Sequence, residues 1–369
     1  MKVKDVKLQI VQVDVAGGSL AVDHGAFGGA TEIGVLRIIT DEGIEGNCFV
    51  GTFNHGGRAL FEPIMTVLKS EIVGHEVAER ERLWARLGRL VWRRRLPMAA
   101  WATVDIALWD AQGKAAGVPV HQLLGTCRDK ILAYASSAFH PRVEEYVEEA
   151  LYFQRLGYKA YKFHPGGTPA GTVKEIARKV REAVGPDTAL MVDCSLLYDY
   201  RESLDIGQTL DEMRFHWFED PLRYMDLDGL VELARRVRTP IAVTDHPDFA
   251  FLEIVPYIQH GAARIIRGDA RKLGITGLRK AAALCEGLGL NIEIHQGGNS
   301  LLNATNLAVE LSIPNTDFYE CLLPAEANQF GVENDIAVDG EGYVHAPTEP
   351  GLGCRLDWQF LEKRTVRTM

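Results

Sequence analysis

The sequence lacks any apolar stretch as long as a membrane span. Its N-terminus, MKVKDVKLQIVQVDV, alternates like a strand and has no apolar core of the length that a signal peptide needs. We therefore expect a cytoplasmic protein without a membrane partner.

The sequence also lacks paired cysteines and an excess of positive charge. Scattered cysteines without a CxxC motif favour free thiols in a reducing compartment over a disulfide frame or a zinc site. A net charge of −10 argues against a nucleic-acid partner, because an acidic field does not attract another polyanion. It is still compatible with a small anionic substrate, because a local cation can reverse the field inside a pocket. The six cysteines are Cys48, Cys127, Cys194, Cys285, Cys321 and Cys354.

What the sequence does have is length and apolar content. Its 369 residues are 47% hydrophobic and 24% charged, as in ordinary soluble proteins, and fit two domains or one domain built around a barrel. Residues 1 to about 60 alternate like antiparallel strands around a turn at 41–43, and residues 61–125 have helical spacing. This order predicts an α+β first domain. The glycine-rich, polar segment 16–30 predicts a mobile loop.

From residue 130 onward, short apolar runs that end in polar residues alternate with longer helical stretches. The polar residues at successive run ends are 24 to 29 positions apart, which suits one strand, one helix and two short loops. A repeated βα unit predicts an eight-stranded parallel barrel. The runs are ILAYASS (131–137), AYKFH (160–164), ALMVDCS (189–195), HWFEDP (216–221), IAVTDH (241–246), RIIRGDA (264–270), NIEIHQG (291–297) and FYECLL (318–323).

The chain after Leu323 is irregular and has no clear eighth helix, so we expect it to return to the first domain. The predicted fold is α/β, a modified TIM barrel of the (β/α)7β type with an α+β capping domain. The expected domains are an N-terminal cap at 1–125, a catalytic barrel at 126–345 and a C-terminal segment at 346–369 that packs back on the cap.

Three carboxylates end three consecutive predicted strands, namely Asp193, Glu219 and Asp245. They would lie close together at the barrel mouth, where uncompensated negative charges repel strongly and a divalent cation would remove the conflict. Ligands that are all oxygen suit Mg²⁺ better than Zn²⁺. The alternative is that each carboxylate pairs with a neighbouring Lys or Arg.

Basic groups are predicted on both sides of these carboxylates. His295 ends the seventh strand, and Asp269 at the end of the sixth could accept its Nδ1 proton and leave Nε2 to exchange protons with a ligand. Lys162 and His164 lie on one side of the second strand, because strands have period two, and would face His295 across the metal. Glu320 on the eighth strand could be a protonated hydrogen-bond donor, an ordering carboxylate or the partner of a Lys or Arg.

This layout suits removal of a proton next to a carboxylate. A metal that holds the substrate carboxylate stabilises the enediolate left when a base takes the adjacent proton. A second group then decides the outcome. Returning a proton to the opposite face gives racemisation or epimerisation, and protonating a departing β-hydroxyl gives dehydration.

The chain resembles the enolase superfamily, in the mandelate racemase-like group that contains many acid-sugar dehydratases. The resemblance covers nearly the whole length. It rests on ATVDIALWDAQGKAAGVPVHQLLG (102–125), on MVDCS, WFEDP and IAVTDH, on GDARKLGITG with IEIHQGG, and on LDWQFLEKRTV (356–366).

The resemblance implies a role for each strand-end residue, with Mg²⁺ as the cofactor and a Lys or His as the base. It implies that Asp193, Glu219 and Asp245 are the Mg²⁺ ligands and that His295 and Asp269 form an acid/base dyad. Glu320 would lie near the substrate carboxylate. Lys162 and His164 match the two positions of the family's strand-two Lys-x-Lys motif.

Three departures from the family pattern matter. His164 replaces the second strand-two lysine, so either His164 or Lys162 is the base. Asp245 stands where close relatives often have Glu, a shorter reach that could shift the ion. In the segment KLGITG a single glycine, Gly274, precedes Ile275 where relatives often have two, which could alter the loop after strand six.

By the same resemblance, cap loops at 16–30 and 50–57 would contact the distal end of the substrate. The loop residues could hydrogen-bond hydroxyl groups, which favours dehydration of an acid sugar, an aldonate or aldarate, to a 2-keto-3-deoxy acid. The alternatives are a racemase or epimerase, a non-catalytic protein that binds metal and ligand, and, for each loop residue, a solvated turn. A homo-oligomer is expected, since capped barrels of this kind often assemble. The candidate substrate-binding residues are His24, Asn54, His55 and Asn299.

Overall fold

A computed structural model describes residues 1–15, 29–53, 55–244 and 251–369. Most of the predicted glycine-rich loop lies outside these residues. The same holds for three predicted site residues, His24, Asn54 and Asp245. The third predicted metal ligand is therefore not among the residues that the structure places.

The first part of the chain forms an antiparallel sheet with the C-terminal strand at its edge. Its strands are β1 (Val3–Val15), β2 (Gly29–Thr40), β3 (Glu45–Val50) and, from the C-terminus, β13 (Thr365–Thr368), in the order β13-β1-β2-β3. Alternation along β1 sends Val6, Leu8 and Ile10 to one face, and all three are fully buried. The predicted turn at 41–43 is present, and Gly43 has the positive φ of 81° that the turn requires.

Helices pack on this sheet. They are α1 (Arg58–Glu62), a π-helical turn (Pro63–Leu68), α2 (Lys69–Ile72), α3 (Arg80–Arg94), α4 (Met98–Ala116) and α5 (Val120–Leu124). The apolar face of α3 repeats at four-residue intervals through Leu83, Leu87 and Val91, which are buried. By contrast, α4 is buried over most of its length. It contacts β3 on one side and the barrel on the other, so the cap and barrel share one helix.

The predicted barrel is confirmed, and each of the eight predicted runs contains a strand. The strands are β4 (Lys130–Ser136), β5 (Ala160–Phe163), β6 (Ala189–Asp193), β7 (Trp217–Glu219), β8 (Ile241–Val243), β9 (Ile265–Gly268), β10 (Asn291–Ile294) and β11 (Phe318–Leu322). Each pairs in parallel with the next from β4 to β10, and β11 pairs in parallel with β4. Their C-terminal ends therefore meet at one mouth.

Seven helical connections follow the first seven barrel strands. The main helices are α6 (Val143–Arg155), α7 (Ala170–Val184), α8 (Tyr200–Glu212), α9 (Leu227–Arg236), α10 (Val255–Gln259), α11 (Ala270–Gly287) and α12 (Ser300–Glu310). After β11 the chain has a short 3₁₀ turn (Ala325–Ala327) and β12 (Tyr343–His345), which is antiparallel to β4. The barrel is thus of the predicted (β/α)7β type. Helix α13 (Trp358–Lys363) leads into β13 on the cap sheet. The numerical domain bounds stay a prediction.

A buried carboxyl bridges β10 and β11. Glu293 accepts hydrogen bonds from the backbone N–H groups of Asp317 at 3.0 Å and Phe318 at 3.3 Å. Burial, and then the charge of Asp317, raise the pKa of Glu293 to about 7. This side chain therefore joins the last two strands of the barrel.

The cap and barrel meet at Asp105 of α4. Its carboxylate accepts hydrogen bonds from the N–H of Thr276 at 2.9 Å and from its hydroxyl at 2.7 Å. Gly274 has a φ of 63°, and a Cβ there would lie 2.5 Å from Asp105 Oδ2. Gly274 of the KLGITG segment therefore kinks the start of α11 where the cap touches it.

Among the residues that the structure describes, none of the helices is both apolar enough and long enough to cross a membrane.

Candidate active site

Two of the three predicted metal ligands lie side by side at the barrel mouth. Asp193 and Glu219 are the last residues of β6 and β7 and are direct partners in the parallel ladder. Their side chains are 5% and 0% exposed. Asp193 Oδ1 accepts a hydrogen bond of 2.8 Å from the N–H of Ser195, whose positive φ of 48° turns the chain. The structure thus brings two carboxylates together, and Asp245 lies beyond the described part of the next strand.

Lys162, on β5, lies among these carboxylates. Its Nζ is 3.0 Å from Glu219 Oε2, 2.7 Å from Glu320 Oε1 and 3.9 Å from Asp193 Oδ2. Burial alone would lower the pKa of Lys162, but the charges of Glu219 and Glu320 outweigh burial and raise this pKa above its ordinary value. The ammonium group is therefore a fixed positive charge whose protons point at carboxylates.

His164 follows β5 directly and reaches the same cluster. Its Nδ1 is 2.9 Å from the carbonyl oxygen of Ser137, which can only accept, so Nδ1 carries a proton. Its Nε2 lies 3.4 Å from Asp193 Oδ2. The ring is buried, and the hydroxyl of Tyr146 holds the strand end by donating to the carbonyl of His164 at 2.7 Å. The predicted pair on strand two is thus divided: Lys162 faces Glu219 and Glu320, and His164 faces Asp193.

The predicted acid/base dyad is in contact. His295 Nδ1 lies 3.2 Å from Asp269 Oδ2, and the His295 side chain is 19% exposed. Burial would raise the pKa of Asp269, but the charge of Arg271 and the contact with His295 lower it well below its usual range. An ionised Asp269 accepts the Nδ1 proton and so fixes the orientation of the partly exposed ring.

Two residues that sequence reasoning missed hold this dyad. Asn306 on α12 donates to Asp269 Oδ1 at 3.2 Å and to the carbonyl of His295 at 2.8 Å, and its own oxygen accepts from the N–H of Ala270. Arg271 places Nε 3.2 Å from Asp269 Oδ2. The sequence holds no spacing signal for Asn306, because it comes from a helix. Arg271 stands only two positions from Asp269 and could have been proposed.

Glu320 forms ion pairs, one of the alternatives expected for it. Its Oε1 contacts Lys162 and accepts from the hydroxyl of Ser136 at 2.8 Å, and its Oε2 lies 2.7 Å from Nη2 of Arg267. Burial would raise the pKa of Glu320, but Lys162 and Arg267 lower it well below its usual range. Glu320 is therefore an ionised acceptor in this arrangement.

Arg267 is the second buried cation of the site and was not predicted. Its Nε lies 2.8 Å from Glu219 Oε1, and its side chain is 0% exposed. The available signal was its position in RIIRGDA, two residues before Asp269 and thus on the same side of β9. The expected alternative for the carboxylates, pairing with Lys or Arg, is therefore present at Glu219.

The described loop candidates are less closely tied to the site. His55 is exposed in a turn, where its N–H lies 3.2 Å from the hydroxyl oxygen of Thr52. Asn299 is fully buried; its Oδ1 accepts from the N–H of Leu302 and its Nδ2 donates to the carbonyl of Gly51. Asn299 thus caps α12 and joins it to the cap loop. Substrate binding by either residue stays a prediction.

The donor chemistry at the strand ends fits Mg²⁺. Buried carboxylate oxygens on neighbouring strands are the hard ligands that this ion prefers, and a carboxylate oxygen in one ion pair keeps a second lone pair. Outside 16–28, 54 and 245–250, no group of three His, Cys, Asp or Glu side chains is arranged to hold a metal ion. The described part of the predicted metal site therefore contains two of the three expected ligands, Asp193 and Glu219.

A capped barrel with basic groups on both sides of buried carboxylates defines a class of enzyme that moves protons at the barrel mouth. Comparison with known families agrees. Residues 145–360 match the family described as Enolase C-terminal domain-like, and residues 19–125 match the Mandelate racemase / muconate lactonizing enzyme, N-terminal domain. The chain belongs to the enolase superfamily, in its mandelate racemase and muconate lactonizing enzyme family.

Its relatives include named dehydratases. The chain is 28% identical to an arabinonate dehydratase of Saccharolobus solfataricus over an alignment of 301 residues, and this alignment covers 79% of each chain. It is also 28% identical to a D-mannonate dehydratase of Sphingomonas sp. over an alignment of 373 residues, and this alignment covers 87% of this chain and 88% of the relative. A crystal structure of D-glucarate dehydratase from Agrobacterium tumefaciens complexed with magnesium aligns over 100% of both chains, with 28% identity and a TM-score of 0.89.

Proposed function

We propose that the protein is a Mg²⁺-dependent acid-sugar dehydratase. It would remove the proton α to the carboxylate of an aldonate or aldarate and expel the β-hydroxyl, giving a 2-keto-3-deoxy acid. The observation that carries the proposal is the placement of two histidines on either side of the carboxylate strands. His164 follows β5 and contacts Asp193, and His295 follows β10 and contacts Asp269.

Asp193 and Glu219, with Asp245 as the proposed third ligand, would hold the Mg²⁺. When bound, the ion would supply positive charge to the substrate carboxylate and stabilise the negative charge that develops as the α-proton leaves. The named dehydratase relatives and the magnesium in the D-glucarate dehydratase structure support this assignment.

His164 is the proposed base. The carbonyl of Ser137 fixes a proton on Nδ1, so Nε2 is the atom that can accept a proton from the substrate. Lys162 is a poorer base, because its ammonium group is buried between Glu219 and Glu320 and its pKa is raised. Its fixed charge would instead stabilise the enediolate.

His295 is the proposed acid. Asp269 stabilises an imidazolium at this position, and the ring is the more exposed of the two histidines. A proton on Nε2 would pass to the departing β-hydroxyl, which leaves as water. The resulting enol then tautomerises to the ketone, so one proton is taken at His164 and one is given at His295.

An epimerase is the main alternative, because bases on opposite faces serve it equally well. The test is a panel of aldonic and aldaric acids incubated with Mg²⁺ and assayed for a 2-keto-3-deoxy acid. Exchange of the α-proton for deuterium without ketone formation would reject dehydration and favour epimerisation. Asp193→Asn is the control, and we expect it to abolish Mg²⁺ binding and turnover together.

His164→Ala separates the two candidate bases. We expect α-proton exchange to fall by about 10² to 10⁴, the usual contribution of a general base. Full exchange in this variant would instead assign the base to Lys162. The cytoplasmic location and the homo-oligomer expected from the sequence stay predictions.

A further inference from the structure

Arg267 is a fully buried arginine that joins two carboxylates from distant strands. It lies on β9, whereas Glu219 ends β7, two strands away in the sheet, and Glu320 lies on β11, which pairs with β4. Its Nε is 2.8 Å from Glu219 Oε1, and its Nη2 is 2.7 Å from Glu320 Oε2. One guanidinium group therefore spans the interior of the barrel below the mouth.

We propose that Arg267 is a positioning residue for the Mg²⁺ site, because it fixes the orientation of Glu219. This inference rests on the proposed function, in which Glu219 is a Mg²⁺ ligand. Lys162 contacts Glu219 Oε2 and Glu320 Oε1, and Arg267 contacts the other oxygen of each. The two cations and two carboxylates thus form a closed ring of four side chains.

The ring sets the rotation of the Glu219 carboxylate. Besides the two cations, the indole N–H of Trp217 donates to Glu219 Oε2 at 3.0 Å. Each carboxylate oxygen has two lone pairs and can accept more than one contact, so a carboxylate held by these side chains can also bind a metal ion. Holding both oxygens fixes the direction of these lone pairs.

The position needs an arginine rather than any cation. A guanidinium group is a planar fork that presents separate nitrogens to two carboxylates. An ammonium group has to serve both from one atom, as Lys162 does where Glu219 and Glu320 converge on it. Arg267 is itself held, because its Nη2 lies 3.3 Å from the hydroxyl of Tyr134 and its Cζ lies 5.7 Å from the centre of the Trp217 ring. Arg267 uses Nε for Glu219 and Nη2 for Glu320, so we expect a lysine, with one nitrogen in place of these two, to lose the contact with one of the carboxylates.

The competing explanation is that Arg267 supplies only bulk charge. On that explanation, Arg267→Lys leaves Mg²⁺ affinity unchanged, and Arg267→Gln strengthens it, because a positive charge near the ion has been removed. Positioning predicts weaker binding in both variants. The sign of the change in affinity therefore separates the two explanations.

The experiment is calorimetric titration of the full-length protein with MgCl₂ alone. We expect the Mg²⁺ Kd to rise about tenfold in Arg267→Lys and in Arg267→Gln, the order of magnitude found when a residue that orients a metal ligand is replaced. The matched control is Arg181→Lys, which disturbs hydrogen bonds to the carbonyls of Gly185, Thr188 and Met213 away from the site and should leave Kd unchanged. An unchanged Kd in Arg267→Lys, or a lower Kd in Arg267→Gln, would overturn the proposal.

Two further measurements keep the outcome interpretable. If Arg267→Gln does not fold, the double variant Arg267→Gln/Glu320→Gln removes the carboxylate left without its partner. Its Mg²⁺ Kd should still be raised, because Glu219 Oε1 still lacks its cation, and a wild-type Kd would contradict positioning. Failure of the wild-type protein to bind Mg²⁺, or binding that Asp193→Asn does not affect, would reject the proposed function itself.

Discussion

Replacing Lys162 by Met removes a buried cation and keeps a side chain of similar length. In the wild-type protein Nζ lies within 3.0 Å of both Glu219 and Glu320, and all three side chains are at most 1% exposed. The substitution leaves two buried carboxylates that share Arg267 as their remaining cation in the ring. We therefore expect the variant to be less stable than the wild-type protein.

The size of the loss follows from burial. Removing one partner of a buried ion pair costs roughly 3–5 kcal/mol, and the continued contact with Arg267 places this case at the lower end, about 3 kcal/mol. Unfolding a chain of 369 residues has an entropy of roughly 0.8 kcal/mol/K, so this loss lowers Tm by about 4 °C.

Differential scanning calorimetry checks the prediction, with Lys179→Met as the matched control. Lys179 is 44% exposed and pairs with Glu144 and Glu175 on the surface, so its replacement should leave Tm nearly unchanged. Adding MgCl₂ should raise Tm more in Lys162→Met than in the wild-type protein, because a bound cation would replace the missing charge.

A second substitution separates charge from packing. Glu320→Gln in the Lys162→Met background removes one carboxylate from the unbalanced pair and should recover part of the lost Tm. The reasoning would be refuted if Lys162→Met unfolded at the wild-type temperature. It would also be refuted if Glu320→Gln lowered Tm as much in the Lys162→Met background as it does in the wild-type protein.

Two further predictions concern the dyad and the contact between cap and barrel. Asp269→Asn removes the charge that stabilises a His295 imidazolium, so kcat should fall about 10- to 100-fold with folding retained, and an unchanged pH profile of kcat would contradict this role. Burial raises the pKa of Asp105 to about 6, so the native state binds more protons than the unfolded state between about pH 4 and 6. Stability should therefore fall by up to about 3 kcal/mol as pH rises through that window. Asp105→Asn should flatten the dependence in thermal unfolding at pH 4 to 7, and parallel curves for the two proteins would disprove it.

The barrel and half of the site were predictable because the relevant signals are local. A polar residue that interrupts an apolar run marks the end of a parallel strand, and the register confirms the result by pairing Asp193 with Glu219. The contact between His295 and Asp269 follows from the same rule, because β9 and β10 are neighbours. Such contacts require only knowledge of which strands are adjacent.

The ion-pair ring was not predictable in this way. Arg267 and Glu320 are 53 residues apart and lie on strands that are not neighbours, so their contact depends on the curvature of the barrel sheet. Asn306 reaches the dyad from a helix, where strand alternation gives no information. Asn299 shows a different difficulty: a polar loop residue suggested a ligand contact, but its amide caps α12 and bonds to Gly51.

In the proposed mechanism, Lys162 would supply charge and His164 would transfer the proton, and the two residues lie at different depths in the barrel. Residues on the same side of a strand are two positions apart and rise roughly 6.6 Å along it, so Lys162 lies one layer below His164. In the lower layer, Lys162 and Arg267 balance Glu219 and Glu320 and keep the carboxylates fixed. In the upper layer, His164 contacts Asp193 where the barrel strands end. The proposed base is thus separate from the four charges below it, and the replacement of the family's second lysine by His164 leaves that lower ring intact.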